Sequence, residues 1–134
     1  MAEIFALQGI GSSGKTSTLK EVFNQLRTKY PTAPINIINN GADITVVIDI
    51  NGIKVGIESQ GDPNSRLQTS LPYFVSLKCD VIFCAVRTKG MTVQWVNQCS
   101  NKYKVQFVPK LQSSNGHAQI NLQQALNLIS MAGL

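Results

Sequence analysis

Charge is scarce in this chain: Asp, Glu, Lys and Arg together make up 14% of it, well below the roughly 25% of an ordinary globular domain. Its surface must therefore rest on Asn, Gln, Ser and Thr. Cysteine is also sparse. Cys79, Cys84 and Cys99 form no CxxC pair and His117 is the only histidine, which excludes the usual structural zinc spacings and argues against a secreted disulfide framework. The odd count, and the apolar neighbours of Cys84 (Val81, Ile82, Phe83, Ala85 and Val86), suit reduced, buried thiols. No apolar run is long enough to span a bilayer. Residues 1–7 carry no basic run before their short apolar stretch, unlike a signal peptide, so a cytoplasmic protein with no membrane role is expected.

What the chain does have is a core's worth of apolar residues, 43% of 134 positions, enough for one domain spanning residues 1–134. The net charge of +5 admits nucleic acid, an acidic surface or a polyphosphate as partner. Its basic residues are scattered, however. The densest group, Lys102, Lys104 and Lys110, alternates with apolar residues and reads as the solvated edge of a strand, which leaves nucleic acid a secondary reading.

Residues 3–8 form a short apolar run followed at once by glycine, the pattern of a buried strand. Residues 15–29 place Leu19, Val22, Phe23 and Leu26 at helical spacing, and Pro31 and Pro34 end that helix. A short strand is expected at 35–38. Two β-branched runs, 44–50 and 53–59, flank Asn51-Gly52, the pair favoured in two-residue hairpin turns, so they should be antiparallel neighbours. Residues 60–70 read as a loop, and a helix is expected to start near Pro72 with Leu71, Phe74 and Val75 inward. A strand at 81–86, a helix at 91–101 bearing Thr92, Trp95, Val96 and Cys99, and a strand at 104–108 follow. The polar loop 112–116 then leads to a closing helix whose stripe carries Leu122, Ala125, Leu126 and Ile129. Alternating strands and helices predict an α/β three-layer sandwich whose sheet is mostly parallel, with one antiparallel hairpin strand. Trp95, Tyr73, Phe74 and Phe107 read as core or half-buried aromatics, and His117 as structural or solvated.

One segment carries chemistry. Gly9-Ile10-Gly11-Ser12-Ser13-Gly14-Lys15-Thr16 fits G-x-x-x-x-G-K-[ST], directly after an expected strand and opening an expected helix. Gly9 and Gly14 allow backbone angles and close approach that a side chain would block. Loop amides from Gly11, Ser12, Ser13 and Gly14, with those of Lys15, Thr16 and Ser17, would then surround phosphate oxygens at a helix N-terminus. On these residues the chain resembles the P-loop NTPase superfamily. That resemblance implies ATP or GTP bound with Mg²⁺, Lys15 on the β- and γ-phosphates, and the Thr16 hydroxyl on the metal.

Such a site needs a carboxylate at the end of a neighbouring strand. Asp49 and Glu58 both close apolar runs. The hairpin makes their strands run oppositely, and only the second strand leads into a loop and helix as a parallel strand would, so Glu58 is expected by the phosphates and Asp49 at the far edge. Glu58-Ser59-Gln60-Gly61 also resembles the Asp-x-x-Gly of the Ras-type GTPase switch region. By that likeness Gly61 offers an N–H to the γ-phosphate, and Asp62 stands where a water-orienting Gln is common. Asp62 could polarise water or merely cap the loop.

A guanine-specific member of that group would carry [NT]-K-x-D; here Thr88-Lys89-Gly90-Met91 lacks the Asp, which favours ATP over GTP. Arg66 in the 60–70 loop and Arg87 past a strand end could each stabilise a transferring phosphoryl group, Arg87 with Lys89 being better placed. The expected activity is Mg²⁺-dependent triphosphate hydrolysis or a nucleotide-driven switch in which the 60–70 loop senses the γ-phosphate, with Lys15, Glu58, Asp62 and Arg87 as the catalytic set. A small nucleotide or small-molecule kinase and a non-catalytic nucleotide-binding module stand as alternatives, and a protein partner or second copy stays open.

Overall fold

The computed structural model describes residues 2–11, 13–61, 66–112 and 116–134. Strict alternation builds its centre. In β1 (Ala2–Gln8), Ile4 and Ala6 face one side of the sheet while Phe5 and Leu7 face the other, and all four are fully buried. After β1 come α1 (Lys15–Lys29), β2 (Ile35–Asn40), β3 (Ile44–Ile50), β4 (Ile53–Glu58), α2 (Leu67–Ser76), β5 (Val81–Val86), α3 (Met91–Asn97), β6 (Tyr103–Pro109) and α4 (His117–Met131).

The six strands form one mixed sheet in the order β2-β3-β4-β5-β1-β6. β1 pairs in parallel with β5 and β6, and β4 in parallel with β5. β3 runs antiparallel to both its neighbours, so it alone opposes the rest. Its turn into β4 has Asn51 at φ 53° and Gly52 at φ 90°, the doubly positive geometry that an Asn-Gly pair accommodates. Asp49 Oδ1 closes that turn by accepting from the Gly52 amide at 2.8 Å.

Two cores result, one on each face. α1 and α4 cover Phe5, Leu7, Ile48, Ile57 and Phe83, with the Phe5 and Phe83 rings stacked 5.6 Å apart. α2 and α3 cover Ile4, Ala6, Ile82, Cys84 and Val86. Each fully buried Leu, Ile or Phe contributes about 1.5–3 kcal/mol over its exposed state. Among the described residues, no helix is long and apolar enough to cross a membrane.

Several elements differ from the sequence expectation. α2 begins at Leu67 and holds Pro72 in its interior. Leu67, Leu71 and Phe74 lie on one helical face and are 0%, 2% and 0% exposed, and that burial outweighs the backbone hydrogen bond that Pro72 gives up. β2 extends to Asn40, and α3 stops at Asn97. In α4 the buried stripe is Ala125, Leu128 and Ile129, while Leu122 and Leu126 are 36% and 47% exposed. Lys102 and Lys104 are exposed as expected, but Lys110 is buried at 8% exposure.

Candidate functional site

The loop after β1 turns directly into α1. Gly14 is the residue before the helix and has φ 92°, a left-handed angle that glycine adopts without steric cost. Its carbonyl accepts from both the amide and the hydroxyl of Thr18, at 3.0 and 2.9 Å, so the helix starts sharply. No acidic residue lies in that first turn. Lys15, Thr16 and Ser17 form the first turn of α1, where a helix concentrates its partial positive charge.

Those residues line a cleft of about 350 Å³ together with Gly11, Ser13, Gly14, Asp43, Ser59, Gln60 and Gly61. Every contributing segment comes from the edge of the sheet where the parallel strands end, β3 starting there because it runs backwards. Lys15 is 7% exposed, and its ammonium donates to the carbonyls of Gly9 and Ile10, the latter at 2.9 Å. Ser13 Oγ is buried beside Gly9 and has no hydrogen-bond partner among the described residues, an arrangement that costs about 1–3 kcal/mol. A helix end and an ammonium on one cleft suit an anion.

Arg87 follows β5 and packs against the loop: a Cβ added at Gly11 would meet its guanidinium at 3.1 Å. The arginine's backbone is held from both sides, its amide donating to Thr92 Oγ1 at 2.9 Å and its carbonyl accepting from Gln8 Nε2 at 3.2 Å. Two residues that the sequence did not place at the site also pack against the loop. Lys110 Cε and Asn121 Oδ1 would stand 3.3 and 3.1 Å from a Cβ at Gly14. Burial lowers the Lys110 pKa, and the ammonium donates to the carbonyl of Leu111.

The carboxylates are arranged differently from the expectation. β5 lies between β1 and β4, so Glu58 does not end a strand adjacent to the loop's own strand. Glu58 is 0% exposed and is not among the residues lining the cleft. Its Oε1 accepts from Thr45 Oγ1 at 2.6 Å and Ser70 Oγ at 2.5 Å, and its Oε2 accepts from the Gln60 amide at 3.0 Å. Arg66 Nε stands 3.8 Å away. Glu58 thus joins β3, β4, the following loop and α2.

The carboxylate on the cleft is Asp43, in the turn between β2 and β3. Its Oδ1 accepts from Thr16 Oγ1 at 3.1 Å and Ser59 Oγ at 2.8 Å. Thr16 Oγ1 also lies 3.4 Å from the Ser59 carbonyl. Sequence reasoning missed Asp43 because Asn39-Asn40-Gly41-Ala42-Asp43 reads as a turn and nothing more. Gly61 lines the cleft and is fitted tightly, since a Cβ there would stand 2.1 Å from Ala85 O. Asp62 and Ser12 lie outside the described residues.

Hydroxyl, carboxylate and carbonyl oxygens form a hard donor set that fits Mg²⁺. Among the described residues no group of three His, Cys, Asp or Glu could hold a metal. Any cation here would have to share its coordination with the ligand, as Mg²⁺ does with phosphates. A larger cleft of about 530 Å³ lies between α2, α3 and the start of β6, lined by Leu71, Trp95, Cys99 and Tyr103. No family model, curated protein or solved structure matches the chain.

Proposed function

We propose that the chain binds a magnesium nucleoside triphosphate in the cleft at residues 9–17 and hydrolyses it, taking ATP ahead of GTP. One observation carries this reading: the N-terminal end of α1, the Lys15 ammonium and the Thr16 hydroxyl converge on one polar cleft. The P-loop resemblance of residues 9–16 supports it independently of the geometry.

On binding, Lys15 exchanges the carbonyls of Gly9 and Ile10 for β- and γ-phosphate oxygens, and the first-turn amides of α1 take the remaining oxygens. Mg²⁺ supplies charge neutralisation between the phosphates, held by the Thr16 hydroxyl and a carboxylate. Arg87 is close enough to the loop to stabilise charge on the transferring phosphoryl group. Gln60 and Gly61 line the same cleft and the Gln60 amide is tied to buried Glu58, so this segment is suited to respond to the γ-phosphate.

Calorimetric titration with ATP and GTP analogues that resist hydrolysis tests the binding. The Lys15→Ala variant should bind at least about a hundredfold more weakly, the loss of a charge-assisted contact of nearly 3 kcal/mol. Unchanged affinity in that variant would count against the whole reading. A second reading, a module that holds nucleotide without turnover, is favoured by the sealed position of Glu58, which leaves it no access to an attacking water. Product analysis separates the two: ADP and free phosphate from the protein alone support hydrolysis.

A further inference from the structure

We propose that Asp43, on the turn between β2 and β3, supplies the carboxylate that holds Mg²⁺ with the Thr16 hydroxyl, while Glu58 anchors the fold behind the site. This rests on the reading of the cleft as a triphosphate site and names the metal-holding residue within it.

Distance supports the assignment first. Mg²⁺ binds oxygen at 2.0–2.1 Å in an octahedron, so two neighbouring ligands lie about 2.9 Å apart. Thr16 Oγ1 and Asp43 Oδ1 are 3.1 Å apart, and both residues line the cleft. A cation can join them with little movement of either side chain.

The turn also presents Asp43 in a defined position. Its carbonyl accepts from the Gly41 amide at 3.1 Å, and Lys20 Nζ ties the Gly41 carbonyl to α1 at 2.8 Å. Ser59 fixes the side chain. Its Oγ accepts from the Ile44 amide at 2.8 Å, which directs the hydroxyl proton onto Asp43 Oδ1. A carboxylate oriented by a neighbouring hydroxyl is how metal ligands are commonly held in register.

The other described acids are committed elsewhere. Glu58 would have to leave three hydrogen bonds and its buried position to reach the cleft. Asp49 closes the Asn51-Gly52 turn, Asp80 accepts from the Lys54 amide, Glu3 from Gln106, and Glu21 from Gln25. Asp43 is the described carboxylate that faces both Thr16 and the open cleft.

The test measures how much Mg²⁺ strengthens binding of a non-hydrolysable ATP analogue, using the full chain and its Asp43→Asn, Glu58→Gln and Asp62→Asn variants. Each variant is first checked for folding by circular dichroism. Asp43→Asn should lose at least about tenfold of the Mg²⁺-dependent gain and bind the metal-free analogue as well as the unaltered chain. Glu58→Gln and Asp62→Asn should keep the gain. Asp43→Cys provides a second variant, expected to respond to Cd²⁺ more than to Mg²⁺ because thiolate prefers the softer ion. The assignment is overturned if Asp43→Asn keeps the full Mg²⁺ gain, or if Glu58→Gln or Asp62→Asn loses it in its place. Failure of the unaltered chain to bind the analogue with or without metal would overturn the triphosphate reading itself, a result distinct from a misplaced carboxylate.

Discussion

Glu58 and Asp43 differ in what surrounds them rather than in chemistry. A buried carboxylate is tolerated when its oxygens accept enough hydrogen bonds, and Glu58 receives two hydroxyls and a backbone amide with no exposed surface. Replacing it by Gln keeps the volume but turns a charged acceptor into an amide whose NH₂ must face one of those donors. Glu58→Gln should therefore lower stability by about 1.5–3 kcal/mol while leaving the chain folded, as read by urea denaturation. A change within about 0.5 kcal/mol would mean that those hydrogen bonds add little beyond what water offers the unfolded chain.

At the scale of elements, local signals account for the parts that were legible. The Asn51-Gly52 turn, the strand pairing across it and the sharp entry into α1 after Gly14 all follow from conformational preferences within a few residues. So does the end of the sheet at which Glu58, Gly61 and Arg87 lie. What could not be read depends on distant contacts. Pro72 suggested a helix start, yet the shared face of Leu67, Leu71 and Phe74 packs onto the sheet and draws the helix back to Leu67. Lys110 sits in an alternating pattern that implies exposure, but the end of β6 brings it against Gly9 and Gly14. Asp43 belongs to a turn whose sequence carries no catalytic signature; only the antiparallel run of β3 lays that turn over Thr16. Strand order was likewise hidden, because nothing local reveals that β5 separates β1 from β4.

The whole molecule has a predictable response to alkali. Burial raises the Cys79 thiol to about 11 from 9.0 and the Tyr103 phenol to about 12 from 10.0, and Cys84 moves in the same direction. Each group keeps its proton in the folded chain at a pH where the unfolded chain has released it. The unfolded state then binds fewer protons, so stability is whole below pH 9 and falls as pH rises toward 11 and 12. Lys110 works against this trend, since its lowered pKa makes folding easier as the ammonium deprotonates. Urea midpoints measured from pH 8 upward should decline through this window, and Cys79→Ala should flatten the decline between 9 and 11. A midpoint that rises across the window would show that deprotonation of Lys110 dominates instead.

The anion grip at the start of α1 is tested most directly by backbone amide resonances, followed while a non-hydrolysable ATP analogue with Mg²⁺ is added. The amides of Gly14, Lys15, Thr16 and Ser17 should show the largest shifts, with Asp43, Gln60 and Gly61 moving alongside them. Shifts confined to the cleft between α2 and α3, or none at saturating analogue, would contradict the account.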